Sequence, residues 1–193
     1  MDVQMTLVPE RCTEKVNVFH VNIQNYESHT RLYGMLAMPK AKGRYPAVLK
    51  LPGAGIRSYA GDVEHAANGW IVFEIGIHGI PVNMSGPVYT NLYMGALKGY
   101  HTFNLDNRDK YYYKRVYLGC VRAIDFIYSL PQFDGSNLIT FGSSQGGGLS
   151  IVTAGLDSRV KGLVAFYPAL CDMVGYIHNL SLIHISEPTR HAQ

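Results

Sequence analysis

The chain has 193 residues, 47% of them hydrophobic and 16% charged, and its 17 Lys and Arg against 14 Asp and Glu leave a formal net charge of +3. That is enough apolar surface for one buried core, and it excludes intrinsic disorder, which needs low hydrophobicity and high net charge. There is no basic run to give nucleic acid an electrostatic footprint, and no apolar stretch of about 18 residues to span a membrane. Met1-Asp2-Val3-Gln4 lacks the basic and apolar segments of an export signal, although a signal upstream of Met1 would leave the compartment open. Cys12, Cys120 and Cys171 are an odd set without metal-ligand spacing and read as reduced, mostly buried thiols.

Residues 16–23 alternate apolar and mostly polar side chains, and 31–38 follow as a second strand before Pro39. With 25–30 as a hairpin connection, they predict an antiparallel opening to a sheet. Residues 47–51 are a short apolar run ending in Pro52-Gly53-Ala54-Gly55, and Asp62 opens a helix that Gly69 closes. Residues 70–77 are nearly all apolar, as a strand buried on both faces should be. Residues 78–107 are rich in Gly, Pro, Asn and Tyr, and their length reads as a functional excursion with room for a short helix. A helix over 113–130 follows, with Val116, Cys120, Ile124 and Ile127 as its apolar stripe, widened by Tyr117, Val121 and Tyr128. A strand over 138–141, a helix over 145–154 and another buried strand over 160–166 complete an alternation. That alternation predicts a mostly parallel sheet with helices on both faces.

Gly142-Ser143-Ser144-Gln145-Gly146 fits G-x-S-x-G. A chain of this composition yields roughly 0.1 such matches by chance, so its context decides. The motif sits where a buried strand gives way to a helix, the site of a nucleophile elbow. A strained turn there needs small neighbours, which Gly142 and Gly146 supply, while Gly147 and Gly148 would let the helix start press against the sheet. Ser144 is the candidate nucleophile, and the Gln145 N–H at the helix start a candidate oxyanion donor. The alternative is a close-packed or phosphate-binding turn; the spacing does not favour a dinucleotide fingerprint. A second oxyanion donor would come from the loop after an earlier strand. The backbone N–H of Ala54 is the candidate, with an ordinary turn as the alternative.

These residues resemble a known family. Gly142-Ser143-Ser144-Gln145-Gly146-Gly147-Gly148-Leu149-Ser150, preceded by Tyr111-Tyr112-Tyr113-Lys114-Arg115-Val116-Tyr117-Leu118, is similar to the acetyl xylan esterase/cephalosporin-C deacetylase family of α/β-hydrolases. Asp125, Phe166-Tyr167-Pro168 and the Pro52-Gly53-Ala54-Gly55 loop extend the resemblance over about residues 16–172. It implies Ser144 as nucleophile, with the N–H groups of Gln145 and Ala54 forming the oxyanion hole. Where the family often carries H-G-Y, this chain has Pro52-Gly53-Ala54, a change that falls on the acyl pocket because the donor is a backbone group. The family's usual R-G-Q after the next strand is here Ile77-His78-Gly79-Ile80. His78 reads as a hydrogen-bonded residue shaping its loop, since the base in this fold follows the nucleophile, with a functional base as the alternative. The Tyr-rich run reads as core.

The fold orders its triad as Ser, acid, His. Asp157 precedes the strand from Val160, at the wrong end of the sheet, whereas Asp172 lies just past that strand and is the candidate early-placed acid. His178 follows Asp172 too closely for an intervening strand and helix, so no complete triad is expected and no catalytic His is assigned. Residues 180–190, Leu-Ser-Leu-Ile-His-Ile-Ser-Glu-Pro-Thr-Arg, resemble one reading frame of a transposase-type sequencing adapter. The expected division is a partial, incomplete α/β-hydrolase domain over 1–179, its nucleophile half, and a non-native tail over 180–193. The acid and base then belong to lost sequence.

The resemblance implies a serine carboxylic-ester hydrolase that removes acetyl or other small acyl groups from carbohydrate through an acyl-enzyme. It implies a small acylated substrate, a homo-oligomer, and no metal or organic cofactor. Two other classes stay open: a peptidase, thioesterase or dienelactone-type hydrolase on the same fold, and an inert fragment or pseudoenzyme. The 193-residue chain by itself is expected to be inactive and to expose a sheet edge prone to aggregation.

Overall fold

The structure is a computed structural model and describes residues 2–27 and 29–170. Among the described residues seven strands, numbered in chain order, form one sheet in the order β1-β2-β3-β5-β4-β6-β7. Strands β2 (Val16–Gln24) and β3 (Arg31–Pro39) are an antiparallel pair in register from Val16↔Pro39 to Gln24↔Arg31, as the alternation predicts. The sheet begins earlier than expected, with β1 (Val3–Leu7) antiparallel to β2. β4 (Tyr45–Leu51), β5 (Ile71–Gly76), β6 (Phe133–Ser143) and β7 (Gly162–Phe166) are mutually parallel, and β5 also pairs antiparallel with β3.

Parallel neighbours need crossovers, and helices supply them. α1 (Val63–Ala67) starts where the Asp62 carboxylate accepts the His65 N–H at 3.1 Å and ends before Gly69 at φ +88°. Lys50 Nζ ties that helix start to the sheet, 3.1 Å from Asp62 and 3.7 Å from Glu74. The excursion after β5 holds α2 (Gly86–Met94) and a single 3-10 turn, Tyr100–Thr102. α3 (Tyr112–Ser129) and α4 (Gln145–Leu156) pack on the sheet face that carries Leu49, Phe73, Ile75 and Leu138, with Val116, Cys120, Ile124 and Ile127 buried as the stripe requires. The opposite face carries α1, over Val16, Val18, Met35 and Ala37. Cys120 is fully buried, its thiol pushed up to about 12 by desolvation, and Cys12 is half-buried; both are free. Cys171 lies outside the described residues.

One expectation is corrected. The 160–166 strand reads as buried, yet Leu163, Val164 and Phe166 of β7 are exposed. Among the described residues β7 pairs on one side only, with β6, so its apolar side chains lack the cover that an interior strand receives.

This topology fixes where a site can form. From β4 the chain goes to β5 on one side and later returns to β6 on the other, making a switch point above the carboxyl ends of β4 and β6. The loops that follow these two strands begin at Pro52 and at Ser144.

Candidate active site

Ser144 stands between β6 and α4 with φ +55° and ψ −123°, a conformation costly for a residue bearing a Cβ. Its neighbours hold it there. The Ser144 N–H donates to the Phe166 carbonyl at 2.9 Å, and the Ser144 carbonyl accepts from Ala169 N–H at 2.9 Å and Gly148 N–H at 3.1 Å. Gly142 and Gly146 are required by contact. A Cβ on Gly142 would collide with the Gly146 backbone, and one on Gly146 with the Leu51 carbonyl oxygen. A Cβ on Gly147 would meet the Phe166 carbonyl oxygen at the end of β7 and the adjoining Pro168, and one on Gly148 would meet the Ala169 carbonyl of the loop that follows.

The loop after β4 lies beside this turn, and Ala54, Ser144 and Gln145 line one cavity of about 560 Å³, with Ile56, Arg57 and Tyr93 also at its wall. Gln145 is the first residue of α4, so its N–H has no intrahelical acceptor and sits at the positive end of the helix dipole. No hydrogen-bond partner of the Ser144 hydroxyl is found among the described residues.

The loop itself is pinned along its length. Gln145 Nε2 donates to the Pro52 carbonyl at 3.2 Å and the Gly53 carbonyl at 3.4 Å, and Arg57 donates to the Ala54 carbonyl. Gly55 N–H donates to the Tyr100 hydroxyl at 3.2 Å, and the Gly55 carbonyl faces His78 Nε2 at 3.1 Å. Sequence reasoning missed Arg57, Tyr100, Tyr113 and the side chain of Gln145. The last three meet only because the excursion folds back over the loop, and no periodicity announces that path.

His78 lies within this hydrogen-bonded wall, held by Tyr112 and Gly55, with its ring edge-on to Tyr100 at 4.7 Å. Of the Tyr run, Tyr113 is fully buried, and Tyr111 and Tyr112 pack against the core. Asp157 is bonded to Arg159, whose guanidinium holds its carboxyl below the usual range and also reaches Asp125 at 2.7 Å. Asp172, His178, His184 and His191 lie outside the described residues. None of the helices among the described residues is long and apolar enough to cross a membrane.

A family model described as acetyl xylan esterase matches residues 1–182. The chain belongs to the acetyl xylan esterase family. It is 42% identical over 184 residues to the acetyl esterase Axe7A of Xylanibacter ruminicola, a match covering 93% of this chain and 42% of that protein. Its fold is similar to that of an acetyl xylan esterase from Paenibacillus sp. R4, with TM-score 0.74 and 28% identity over 93% of this chain and 57% of that one. It is also similar to acetyl xylan esterase 1 from Thermoanaerobacterium sp. JW/SL YS485, with TM-score 0.75 and 20% identity over 95% and 58% of the two chains; that likeness is one of fold. The architecture is that of an α/β-hydrolase, shared at TM-score 0.58 and 19% identity with a dienelactone hydrolase-like phosphotriesterase. The chain spans less than half the length of the curated relative and under three fifths of the two solved esterases.

Proposed function

We propose that the protein hydrolyses acetyl esters of carbohydrate by serine catalysis, with Ser144 as nucleophile and the N–H groups of Gln145 and Ala54 as the oxyanion hole. One observation carries the reading: a positive-φ serine at a strand-to-helix turn shares a cavity with a loop amide from the neighbouring strand. Membership of the acetyl xylan esterase family supports the choice of acetyl group and carbohydrate substrate.

In this reading Ser144 Oγ bonds to the ester carbonyl carbon and gives its proton to a histidine base. The carbonyl π pair moves onto oxygen, where the two N–H groups and the helix end receive it. Collapse expels the sugar oxygen, which takes that proton, and water then releases acetate from acetyl-Ser144. The acid and the base lie in sequence beyond the described residues, in keeping with the share of the relatives that the chain spans.

The test is the protein translated through its own stop codon, with Ser144→Ala beside it. Hydrolysis of 4-nitrophenyl acetate and of acetylated xylan should fall by about 10⁴-fold or more, and a fluorophosphonate should add to Ser144 of the parent alone. Retained acetate release by Ser144→Ala would overturn the reading. Release from longer acyl or peptide substrates in preference to acetyl would replace the substrate class.

A further inference from the structure

We propose that the side chain of Gln145, and not only its backbone, builds the oxyanion hole: gripped by the Tyr100 and Tyr113 hydroxyls, it sets the peptide before Ala54 so that the Ala54 N–H faces the cavity. The inference rests on the reading of Ser144 as nucleophile and makes Gln145, Tyr100 and Tyr113 positioning residues for that reaction.

The Gln145 side chain is buried, with the residue only 2% exposed, and it makes four hydrogen bonds. Its orientation is decided by its neighbours. The Pro52 and Gly53 carbonyls can only accept, so the Nε2 end must face them. The Oε1 end is then left to the hydroxyls of Tyr100 and Tyr113, each 2.6 Å away. Both tyrosines are themselves fully buried, and desolvation pushes both hydroxyls above their usual range, so they stay protonated and donate.

The consequence for Ala54 follows from peptide geometry. No cis peptide bond is present among the described residues, and in a trans peptide the C=O and the following N–H point in opposite directions. Drawing the Gly53 oxygen inward onto Gln145 Nε2 therefore turns the Ala54 N–H outward. The next peptide is held from the other side, because Tyr100 Oη accepts from Gly55 N–H while donating to Gln145 Oε1. One residue thus supplies one oxyanion donor through its backbone and aims the second through its side chain. A buried amide is costly where apolar packing would serve; a methionine fills a similar volume and makes none of these bonds.

Gln145→Met, Tyr113→Phe and Tyr100→Phe in the protein translated through its own stop codon test this, read by steady-state kinetics with 4-nitrophenyl acetate and by affinity for a trifluoromethyl ketone, whose adduct with Ser144 carries the oxyanion. Gln145→Met should lower kcat by about 10²-fold, the scale of a lost oxyanion donor, with KM nearly unchanged, and should weaken the ketone by a similar factor. Tyr113→Phe should cost about tenfold in kcat, the worth of one hydrogen bond. If Gln145→Met lowers Tm but leaves kcat and ketone affinity at the parent's values, the side chain is a packing element and the proposal fails. If that variant does not fold, Tyr113→Phe decides, and an unchanged kcat in the folded variant overturns the proposal. Ser144→Ala measured in parallel separates the two readings. Activity retained there removes the nucleophile assignment and this inference with it, whereas an inactive Ser144→Ala beside a fully active Gln145→Met removes this inference alone.

Discussion

His78 Nε2 lies 3.1 Å from the carbonyl oxygen of Gly55, one residue beyond the Ala54 amide, while its Nδ1 lies 2.7 Å from the Tyr112 hydroxyl. A carbonyl cannot donate, so Nε2 carries the proton and Nδ1 accepts from Tyr112. Both nitrogens are committed to holding the loop. Burial, helped by the nearby Arg115 charge, pushes the ring down from 6.5 to about 4.

That depression makes the loop wall acid-sensitive, and its sign can be worked out. Between pH 6.5 and about 4 the unfolded chain binds a proton at His78 that the folded chain refuses, so stability is full above pH 6.5 and is lost on acidification. The slope from this one group is at most about 1.4 kcal/mol per pH unit. His78→Gln keeps a neutral polar side chain and removes the titration. It should be less stable than the parent at pH 7, with the gap narrowing towards pH 4.5. Urea midpoints at constant m-value measure it, and a gap independent of pH would refute the assignment.

The elbow glycines should separate sharply from a glycine of the same helix. A methyl group at Gly146 runs into the Leu51 carbonyl and comes within 3.0 Å of the Pro52 carbonyl carbon, both of them backbone that cannot move aside. Gly146→Ala should cost about 3 kcal/mol or abolish soluble expression. Gly155, near the end of α4, has nothing within 4 Å of its would-be Cβ, so Gly155→Ala should stabilise by about 0.5 kcal/mol. Chemical denaturation of the two variants is the comparison, and equal costs would show that the turn is looser than its contacts imply.

How much of this was legible depended on whether a feature is local. Val16 to Ile23 alternates, Asp62 caps and Gly69 terminates, so β2 and α1 could be read directly. β1 carries the same alternation in Val3-Gln4-Met5-Thr6-Leu7, but a short strand with Met5 and Leu7 exposed gives little contrast against a loop. The Gly142 to Gly146 turn was legible because strain demands small residues at fixed spacing. The grip of Tyr100 and Tyr113 on Gln145 was not, because those residues lie 45 and 32 positions away and are joined only by tertiary folding. The Tyr run could be assigned to the core on polarity alone; that its hydroxyls reach the candidate site is a fact of packing.

Arg159 joins α3 to the turn before β7. Its Nη2 lies 2.7 Å from Asp125 and 2.6 Å from Asp157, and its guanidinium sits 5.0 Å over the Tyr128 ring. Asp157 is buried, so removing Arg159 leaves a largely desolvated carboxylate without its cation. Arg159→Ala should destabilise by about 2 kcal/mol, while Lys114→Ala, which breaks the exposed Asp109 pair, should change stability by less than about 0.5 kcal/mol. Because Arg159 holds the Asp157 pKa down, its contribution is present above the ordinary carboxylate range and is lost as pH falls through the depressed value. A Lys114→Ala cost equal to that of Arg159→Ala would contradict this ranking.

Among the described residues β7 is an outer strand of the sheet. Leu163 is 44% exposed, Val164 37% and Phe166 50%, on a strand whose outer hydrogen-bonding groups have no strand partner among the described residues. The opposite edge differs, since in β1 Gln4 and Thr6 alternate with the apolar residues. A row of free backbone groups flanked by exposed apolar side chains templates pairing with another chain, and a lysine on such a strand opposes it by charge and desolvation. The chain expressed alone should self-associate with increasing concentration and bind a hydrophobic dye, and Val164→Lys should reduce both, whereas Thr6→Lys on β1 should not. Light scattering across a dilution series is the measurement. If Val164→Lys associates as strongly as the parent, β7 is not the contact.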